Sequence, residues 1–452
     1  MTFARVLGFV LLCLFVPIAV AQQATAPAEE EAQAAAPATT FQGADWLSWK
    51  KMTGDWGGVR PALADSGITF DIDVTQVLQG NAHGGASTRN GLRYSGSADL
   101  TLTLDLGAMG LIPGGRITLA GEPKWGDGIN PKVGSLIPVN LDAFKPGAGE
   151  GCTFTLSEYF YEQVLFDGKL ILLAGKLDGS RAFETNAFAN NEKTQFMNTA
   201  LRNNPMIPSF LPYTVLGVGA IVNPTDWLSI LTAVTDSEGR NKTTGFETAF
   251  HGAVNTTVIH EWDFKIKPFD MPGTQRVGFA WSSMDTNKLY PVSPFRETGP
   301  LLMKYAPAML EFLQPYLPYD QNPDNVMLYY NFDQYLYTEA EDPTQGVGIF
   351  GRFGWARENA NPVNYFYSFG VGGKGIIPDR DNDTFGVGYY FIDLSNDLPP
   401  AFHSEQGVEL FYNVEITPWL HLTPDFQIIM NPGGTDAHDV SLVYGLRLQM
   451  NL

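Results

Sequence analysis

Cysteine is almost absent from this chain, which carries Cys13 and Cys152 among its 452 residues. Cys13 falls in an N-terminal stretch with the features of a removable export signal, so the mature chain keeps one cysteine. A single cysteine excludes an intramolecular disulfide. The bulky Leu12 precedes Cys13 where lipoprotein processing sites have a small residue, and we therefore expect no lipid anchor.

Long apolar runs are also missing. Beyond the N-terminus no segment approaches the roughly eighteen consecutive apolar residues that a transmembrane helix needs. Positive charge is scarce, because 28 Lys and Arg stand against 48 Asp and Glu, for a net charge of −20. This acidity excludes nucleic acid as an expected partner.

Catalytic signatures are missing as well. The sequence has no G-x-S-x-G, H-E-x-x-H or C-x-x-C motif, and its six histidines are scattered without metal-ligand spacing. We predict no catalytic residue, metal site or cofactor, and we expect that the protein is not an enzyme. One enzymatic alternative stays open, a barrel hydrolase using His421 and Ser441 on adjacent strands.

What the chain does have is a strict alternation of two sets of side chains, one mainly apolar and one mainly polar, which is clearest from His403 to the C-terminus. There, Val408, Leu410 and Tyr412 alternate with Glu409, Phe411 and Asn413, and two further runs follow after breaks at 417–419 and 431–434. A period of two indicates β-strand. Strands of about ten residues with one apolar face are typical of a transmembrane barrel, whereas soluble sandwich strands average about five or six.

Sixteen such strand candidates lie between Ile68 and Leu452, and the lengths of their connections alternate. The odd-numbered connections are often long, and the even-numbered ones are short, such as Asp167-Gly168 and Asn223-Pro224-Thr225. Outer-membrane barrels show this alternation, with long loops outside the cell and tight turns in the periplasm. The long connections are residues 80–91, 124–151, 179–212, 237–249 and 285–324.

The residues before the first strand divide into three parts. Residues 1–21 have the charge, apolar core and Ala19-Val20-Ala21 cleavage site of a signal peptide. Residues 22–43 are rich in Ala, Pro and Glu and are predicted to be a disordered linker. Residues 44–67 are predicted to hold a short helix capped by Asp55 and ending at Gly67, either as a clamp at the periplasmic mouth or simply packed beneath the barrel.

The predicted fold is therefore all-β: a 16-stranded antiparallel transmembrane β-barrel over residues 68–452, with a short N-terminal helix. Export together with such a barrel indicates the outer membrane of a Gram-negative-type bacterium. A barrel of about sixteen strands leaves an aqueous channel, so the chain is expected to act as a diffusion pore.

Several motifs along the chain also resemble those of a known protein family. They are TGDWGGVR at 53–60, FANNEKTQF at 188–196, Asp333-Gln334, FGRFG at 350–354, DRDND at 379–383, TPDFQ at 423–427 and NPG at 431–433. Together they resemble the carbohydrate-selective outer-membrane porins of the OprB type, over nearly the whole mature chain. The resemblance implies passive uptake of sugars such as glucose. One departure is the terminal Leu452, where outer-membrane barrels commonly carry an aromatic residue that the assembly machinery reads.

Candidate selectivity residues follow from the alternation, because charge on the lipid face costs roughly 2–4 kcal/mol at the bilayer midplane. A sugar path should offer aromatic surface and weak hydrogen-bonding groups. The loop 179–212 is the expected constriction, with an external lid as the alternative. The competing interpretation is that each charged residue is only solvated by the water of the pore or pairs with a charged residue on a neighbouring strand. The substrate-binding candidates are Arg116, Glu158, Lys176, Arg181, Arg352, Glu409, Asn413 and Asp425.

The function expected from these observations is passive, selective diffusion of carbohydrates, such as monosaccharides and small oligosaccharides, into the periplasm. The alternative is a general or ion-selective porin on the same barrel. Expected partners are carbohydrate substrates, outer-membrane lipid and the outer-membrane assembly machinery. A homotrimer is left open as the oligomeric state.

Overall fold

The computed structural model describes residues 45–145, 153–238, 254–291 and 319–452, where the chain folds mainly into β-strands. The predicted signal peptide and linker, residues 1–43, lie outside these ranges. Sixteen strands close into one antiparallel barrel, in which the first strand pairs with the last, for example Val74 with Met450. Chain neighbours are barrel neighbours, except that the strand ending at Ser282 pairs with the one starting at Asn325.

The strands are β1 (Ile68–His83), β2 (Leu92–Asp105), β3 (Gly115–Gly126), β4 (Thr153–Leu165), β5 (Leu170–Leu177), β6 (Val215–Thr225), β7 (Leu228–Asp236), β8 (Thr256–Ile266), β9 (Gly273–Ser282), β10 (Thr286–Pro291), β11 (Tyr319–Asn322), β12 (Asn325–Thr338), β13 (Gly346–Ala356), β14 (Val363–Lys374), β15 (Thr384–Leu394), β16 (Ser404–Thr417), β17 (Leu420–Met430) and β18 (Ser441–Asn451). The α-helices are α1 (Val59–Asp65), α2 (Asn130–Val133) and α3 (Thr199–Arg202).

The sequence prediction of sixteen barrel strands is confirmed, and each predicted strand corresponds to one strand of the barrel. It missed β10 and β11, which pair with each other outside the barrel within the connection predicted over 285–324. No helix within the described ranges is long and apolar enough to span a membrane.

Alternation along each strand separates an inner face from an outer face. On β1, Thr75, Val77 and Gln79 are buried inside the barrel, while Leu78 between them is exposed on its outside. On β16 the inner Glu409 is fully buried and the neighbouring Leu410 is exposed. The outer surface is thus a continuous apolar band, as a wall facing lipid requires.

The connections differ between the two ends of the barrel. One end carries tight turns such as residues 226–227 and 418–419, and the opposite end carries long loops such as residues 178–214. The segment before β1 and the end of β18 both lie at the tight-turn end, because the barrel has an even number of strands. In outer-membrane barrels this end faces the periplasm.

Residues 45–58, which we call the N-terminal strap, lie across the seam where β1 meets β18. The Met52 amide donates to the carbonyl of Asn451 at 2.8 Å, and the Trp46 and Trp419 rings lie 4.5 Å apart. Beyond the strap, the α1 residue Arg60 donates to a Leu452 oxygen at 3.0 Å. These contacts join the N-terminal segment to β18 and to the turn before β17, and Lys51 pairs with Asp71 of β1 at 2.9 Å. The role of a clamp stays a prediction.

The helix in this segment starts later than the sequence suggested. Asp55 was expected to cap it, but α1 begins at Val59 behind Gly58, whose φ is 89°. Gly57 also has a positive φ, of 68°. Asp55 instead accepts a hydrogen bond from the Gly57 amide at 2.9 Å and so stabilises the turn before the helix.

We predict that a charged residue on the outer face destabilises the barrel most where that face lies deepest in the bilayer. Leu446 lies in the middle of β18 and is 44% exposed, whereas Val440 lies just before the strand and is 40% exposed. Leu446→Arg should lower the free energy of unfolding in lipid vesicles by about 2–4 kcal/mol, and Val440→Arg by about 0–1 kcal/mol. Equal losses for the two variants in a urea titration would show that this surface does not face the bilayer core.

Candidate functional site

The connection between β5 and β6, residues 178–214, folds into the barrel; we call it the inner loop. Its side chains Phe188, Phe196, Leu201 and Phe210 are buried in one apolar cluster with inner-face residues of the barrel strands. The sequence predicted an inward constriction by this loop and left an external lid as the alternative. The packing places the loop inside the barrel.

Glycines on the inner face of the barrel make room for the aromatic residues of the loop. A Cβ on Gly348 or Gly372 would approach Phe188 atoms within 2.3 or 2.7 Å, and a Cβ on Gly386 would approach Phe196 within 2.7 Å. The Phe196 ring also lies edge-on to Phe411, with centroids 4.8 Å apart. Burial of each phenylalanine contributes about 1.5–3 kcal/mol, so this side of the loop is held firmly.

The loop backbone is irregular, and its buried N–H and C=O groups need partners that no β-ladder supplies. Carboxylates on the barrel wall accept from the amides. Glu409 binds the Met197 and Asn198 amides at 2.6 and 3.0 Å. On the other side of the barrel, Glu261 binds the Glu184 amide at 2.9 Å.

Two buried arginines donate to the loop carbonyls. Arg352 reaches Leu201 at 2.8 Å and also the carbonyls of Ala189 and Arg202. Arg447 reaches Gln195 at 2.9 Å and also Glu192. Hydrogen bonds that involve a charged group contribute about 1.5–3 kcal/mol each, so these wall residues fix the path of the loop.

A cavity of about 860 Å³ remains where the inner loop leaves the wall of β1–β3. Its third boundary is the described part of the connection between β3 and β4, residues 127–145, which we call the cap loop. Leu141 of the cap loop donates its amide to the Met197 carbonyl at 2.9 Å, so the two loops are joined. Asn451 and His421 line the cavity from the tight-turn end of β18 and β17. The cavity is therefore lined by residues from the cap loop and from the tight-turn end of the barrel, and we call it the channel.

Part of the channel lining is charged, and its cations contact neighbouring carboxylates. Lys193 of the inner loop lies 2.7 Å from Asp99 and 3.3 Å from Asp73 on the wall. Arg202 pairs with Glu192 at 3.0 Å. Burial alone would raise the pKa of Glu192, but Arg202 and Lys193 outweigh it and lower that pKa to about 2.

The lining of the channel also includes apolar residues. Phe144 and Leu141 line it from the cap loop, and Ile207, Pro208 and Leu211 line it from the inner loop. Phe144 is exposed to the channel, whereas Ile207 and Leu211 are mostly buried against the loop cluster. A solute in this space therefore meets both charged groups and apolar surface.

Among the eight substrate-binding candidates from the sequence, Arg181 lines the channel within the described chain. Its Nε lies 3.2 Å from Glu158, which is buried directly behind it and is not part of the lining. Lys176 is fully buried and donates to the Leu156 carbonyl at 2.7 Å. Arg116 pairs with Glu162 at 3.2 Å near the tight-turn end of β3.

The other four candidates lie beneath the inner loop. Arg352 and Glu409 bind its backbone, as described above. Asp425 accepts from Gln427 at 2.9 Å, and Gln427 in turn donates to the Val139 carbonyl of the cap loop at 2.9 Å. Asn413 binds Thr423 at 2.7 Å and the ring of His421 at 3.1 Å. Of these residues, Asn413 and Arg352 are each one hydrogen bond away from a lining residue, through His421 and Arg202 respectively.

Sequence reasoning missed several residues that do line the channel. Lys193 was quoted only as part of a motif, and Tyr213 and Glu122 were not singled out. The Tyr213 hydroxyl donates to Glu122 at 2.6 Å across the channel wall. A signal was present for Lys193, because a cation in the predicted constriction loop must face wall carboxylates such as Asp99.

The structure does not bring together His421 and Ser441, the two residues of the enzymatic alternative. In the register of β17 and β18, His421 pairs with Gln449, whereas Ser441 pairs with Ile429 at the opposite end of the strands. Ser441 donates to Asn81 at 2.9 Å. A nucleophile and base need contact at hydrogen-bond distance, which these two residues do not make.

We predict that removing one loop anchor widens the channel. Arg352→Met should raise the single-channel conductance and current noise and should lower thermal stability, because the carbonyls of Leu201 and Ala189 and the nearby Glu184 lose their cation. Arg116→Met is the matched control, since Arg116 pairs at the barrel end without contacting the inner loop. Unchanged conductance for Arg352→Met in a planar bilayer would contradict the anchoring role.

The family profile of the carbohydrate-selective porins, OprB family, matches residues 89–452. Porin B of Pseudomonas aeruginosa is 22% identical over 435 residues, which cover 88% of this chain and 91% of that protein. Porin AaxA of Chlamydia pneumoniae is 28% identical over 108 residues, 23% of this chain and 25% of that one.

Solved structures agree on the fold. The high-pH structure of Pseudomonas putida OprB covers 90% of this chain and 99% of its own, with 22% identity and a TM-score of 0.77. The low-pH structure of the same protein has the same coverage, with 18% identity and a TM-score of 0.57. With the family profile matching most of the chain, the protein belongs to the carbohydrate-selective porin OprB family and is a sugar-selective β-barrel porin of the Gram-negative outer membrane.

Proposed function

We propose that the channel between the inner loop, the cap loop and the β1–β3 wall is the path by which monosaccharides such as glucose, and small oligosaccharides, diffuse into the periplasm. The observation that carries this proposal is the mixed lining of the channel. Charged groups such as Asp99 and Lys193 line it together with apolar side chains such as Phe144 and Leu141.

A hexopyranose has the matching chemistry. Its ring faces carry C–H groups that pack against apolar surface, and its edge carries hydroxyls that both donate and accept hydrogen bonds. A purely charged slot would hold water and ions instead, and a purely apolar slot would leave the sugar hydroxyls unpaired at a cost of about 1–3 kcal/mol each. The observed lining supports passage of a neutral polyhydroxylated solute.

Arg181 is the candidate that we retain for direct sugar contact. Its side chain is 53% exposed, and both of its ion pairs, with Glu158 and Asp178, involve Nε. A guanidinium has five N–H donors in a planar fork, so the two terminal nitrogens of Arg181 are placed to donate to sugar hydroxyls. We assign Lys193 and Tyr213 to the polar lining of the same path.

The other candidates receive a positioning role under this proposal. Arg352, Glu409 and Asp425 hold the loops that shape the path, and their substitution acts on selectivity through channel width. The alternative, a general or ion-selective porin on the same barrel, predicts ion current without sugar block. The family to which the chain belongs favours the sugar path.

We predict saturable block of the single-channel current by glucose, and then by maltose, at millimolar concentration in planar bilayers. Arg181→Gln should weaken this block by about threefold to tenfold, because it removes charge-assisted hydrogen bonds of about 1 kcal/mol in net effect. Arg357→Gln is the control, since Arg357 pairs with Asp324 away from the channel lining. A channel that conducts without any sugar block would overturn the proposed function.

The remaining partners belong to the same proposal. The apolar outer band would contact outer-membrane lipid, and insertion would depend on the outer-membrane assembly machinery. Association into a homotrimer stays a prediction, and chemical crosslinking in native membranes followed by gel electrophoresis tests it. A crosslinked species at three times the monomer mass supports the trimer, whereas monomers alone exclude it.

A further inference from the structure

The channel lining carries more negative than positive charge. Its acidic residues are Asp73, Asp99, Glu122, Asp142, Asp178 and Glu192, and its basic residues are Lys124, Arg181, Lys193 and Arg202. Six carboxylates against four cations leave a formal charge of −2 along the solute path. A narrow space with walls of low dielectric concentrates the field of such an excess.

The ionic contacts show which carboxylates carry the excess negative charge. Asp73 and Asp99 share Lys193. Glu122 has Lys124 at 3.7 Å and also the Tyr213 hydroxyl. Glu192 and Asp178 each contact an arginine. Asp142 of the cap loop is the remaining carboxylate of the lining.

Asp142 is only 6% exposed. Its Oδ1 accepts a hydrogen bond from the Ser97 hydroxyl at 2.7 Å. Its Oδ2 is buried and has no hydrogen-bond partner among the described residues. Burial raises the pKa of Asp142, while Lys124 and Ser97 oppose that rise. A buried carboxylate oxygen without a partner is costly, so this position favours an added cationic donor.

We propose that Asp142 is a subsite for the ammonium group of amino sugars, and that the channel admits cationic amino sugars in preference to anionic sugar acids. The inference rests on the proposed function, because it concerns the same path. The terminal torsion of an aspartate is soft, so a small rotation presents Oδ2 to a solute. An ammonium beside Asp142 then completes its hydrogen bonding.

The surroundings of Asp142 are consistent with this preference. Lys124 is the cation with the largest electrostatic effect on Asp142, yet its ammonium also lies 3.7 Å from Glu122. Lys193, the neighbouring cation, is shared between Asp99 and Asp73. These two ammonium groups face four carboxylates, and the excess negative charge attracts a further cation and repels a solute carboxylate.

Three sugars of nearly equal size test this proposal: glucosamine, glucose and gluconate. In liposome-swelling assays with the full-length protein at low ionic strength, we expect glucosamine to enter about tenfold faster than gluconate, with glucose between them. The ratio should shrink in high salt because the charges are screened. Asp142→Asn, which keeps the shape, should lower the ratio to about threefold or less, since one of the unbalanced charges is removed.

Asp436→Asn is the matched control, because Asp436 is a highly exposed acid paired with His403 and absent from the channel lining. It should leave the ratio unchanged. Equal entry of glucosamine and gluconate would overturn the charge preference, and an unchanged ratio in Asp142→Asn would overturn the Asp142 subsite. In both cases, entry of glucose would leave the proposed sugar path standing. Failure of all three sugars to enter would instead overturn the proposed function itself.

Discussion

The structure depends on one requirement: an irregular loop buried inside a barrel must have partners for its backbone. The inner loop has little regular secondary structure between β5 and β6, so its amides and carbonyls cannot be satisfied by a ladder. The barrel wall supplies what is missing through Glu261, Glu409, Arg352 and Arg447. Inner glycines complete the fit by admitting loop aromatics such as Phe196.

This anchoring makes the lumen asymmetric. The apolar cluster of the loop packs against the wall of β12–β16, where a small cavity of about 110 Å³ remains beside Phe188. The opposite wall, β1–β3, stays separated from the loop by a channel that charged groups line. Strong contacts on one side therefore create the open path on the other, and the porin's selectivity follows from how the loop is held as much as from the groups that a sugar touches.

Much of the fold could be predicted from the sequence, because strand alternation and loop parity are local patterns. Glu409 and Arg352 were correctly placed on the inner face for that reason. Their role in holding the inner loop was not predictable, since it depends on contacts with residues 189–202, which lie 150 or more positions away in the case of Arg352. The late start of α1 was missed because the conformation of Gly57 and Gly58, rather than the Asp55 side chain, sets that boundary.

The most direct test of this account is to locate a sugar inside the protein. A crystal structure of the porin soaked with a selenium-labelled methyl glucoside would show the label by anomalous scattering. The account predicts density between Arg181 and Phe144, in the channel beside β1–β3. Density confined to the opposite side of the inner loop, against β12–β16, would contradict both the path and the role given to the wall residues that hold the loop.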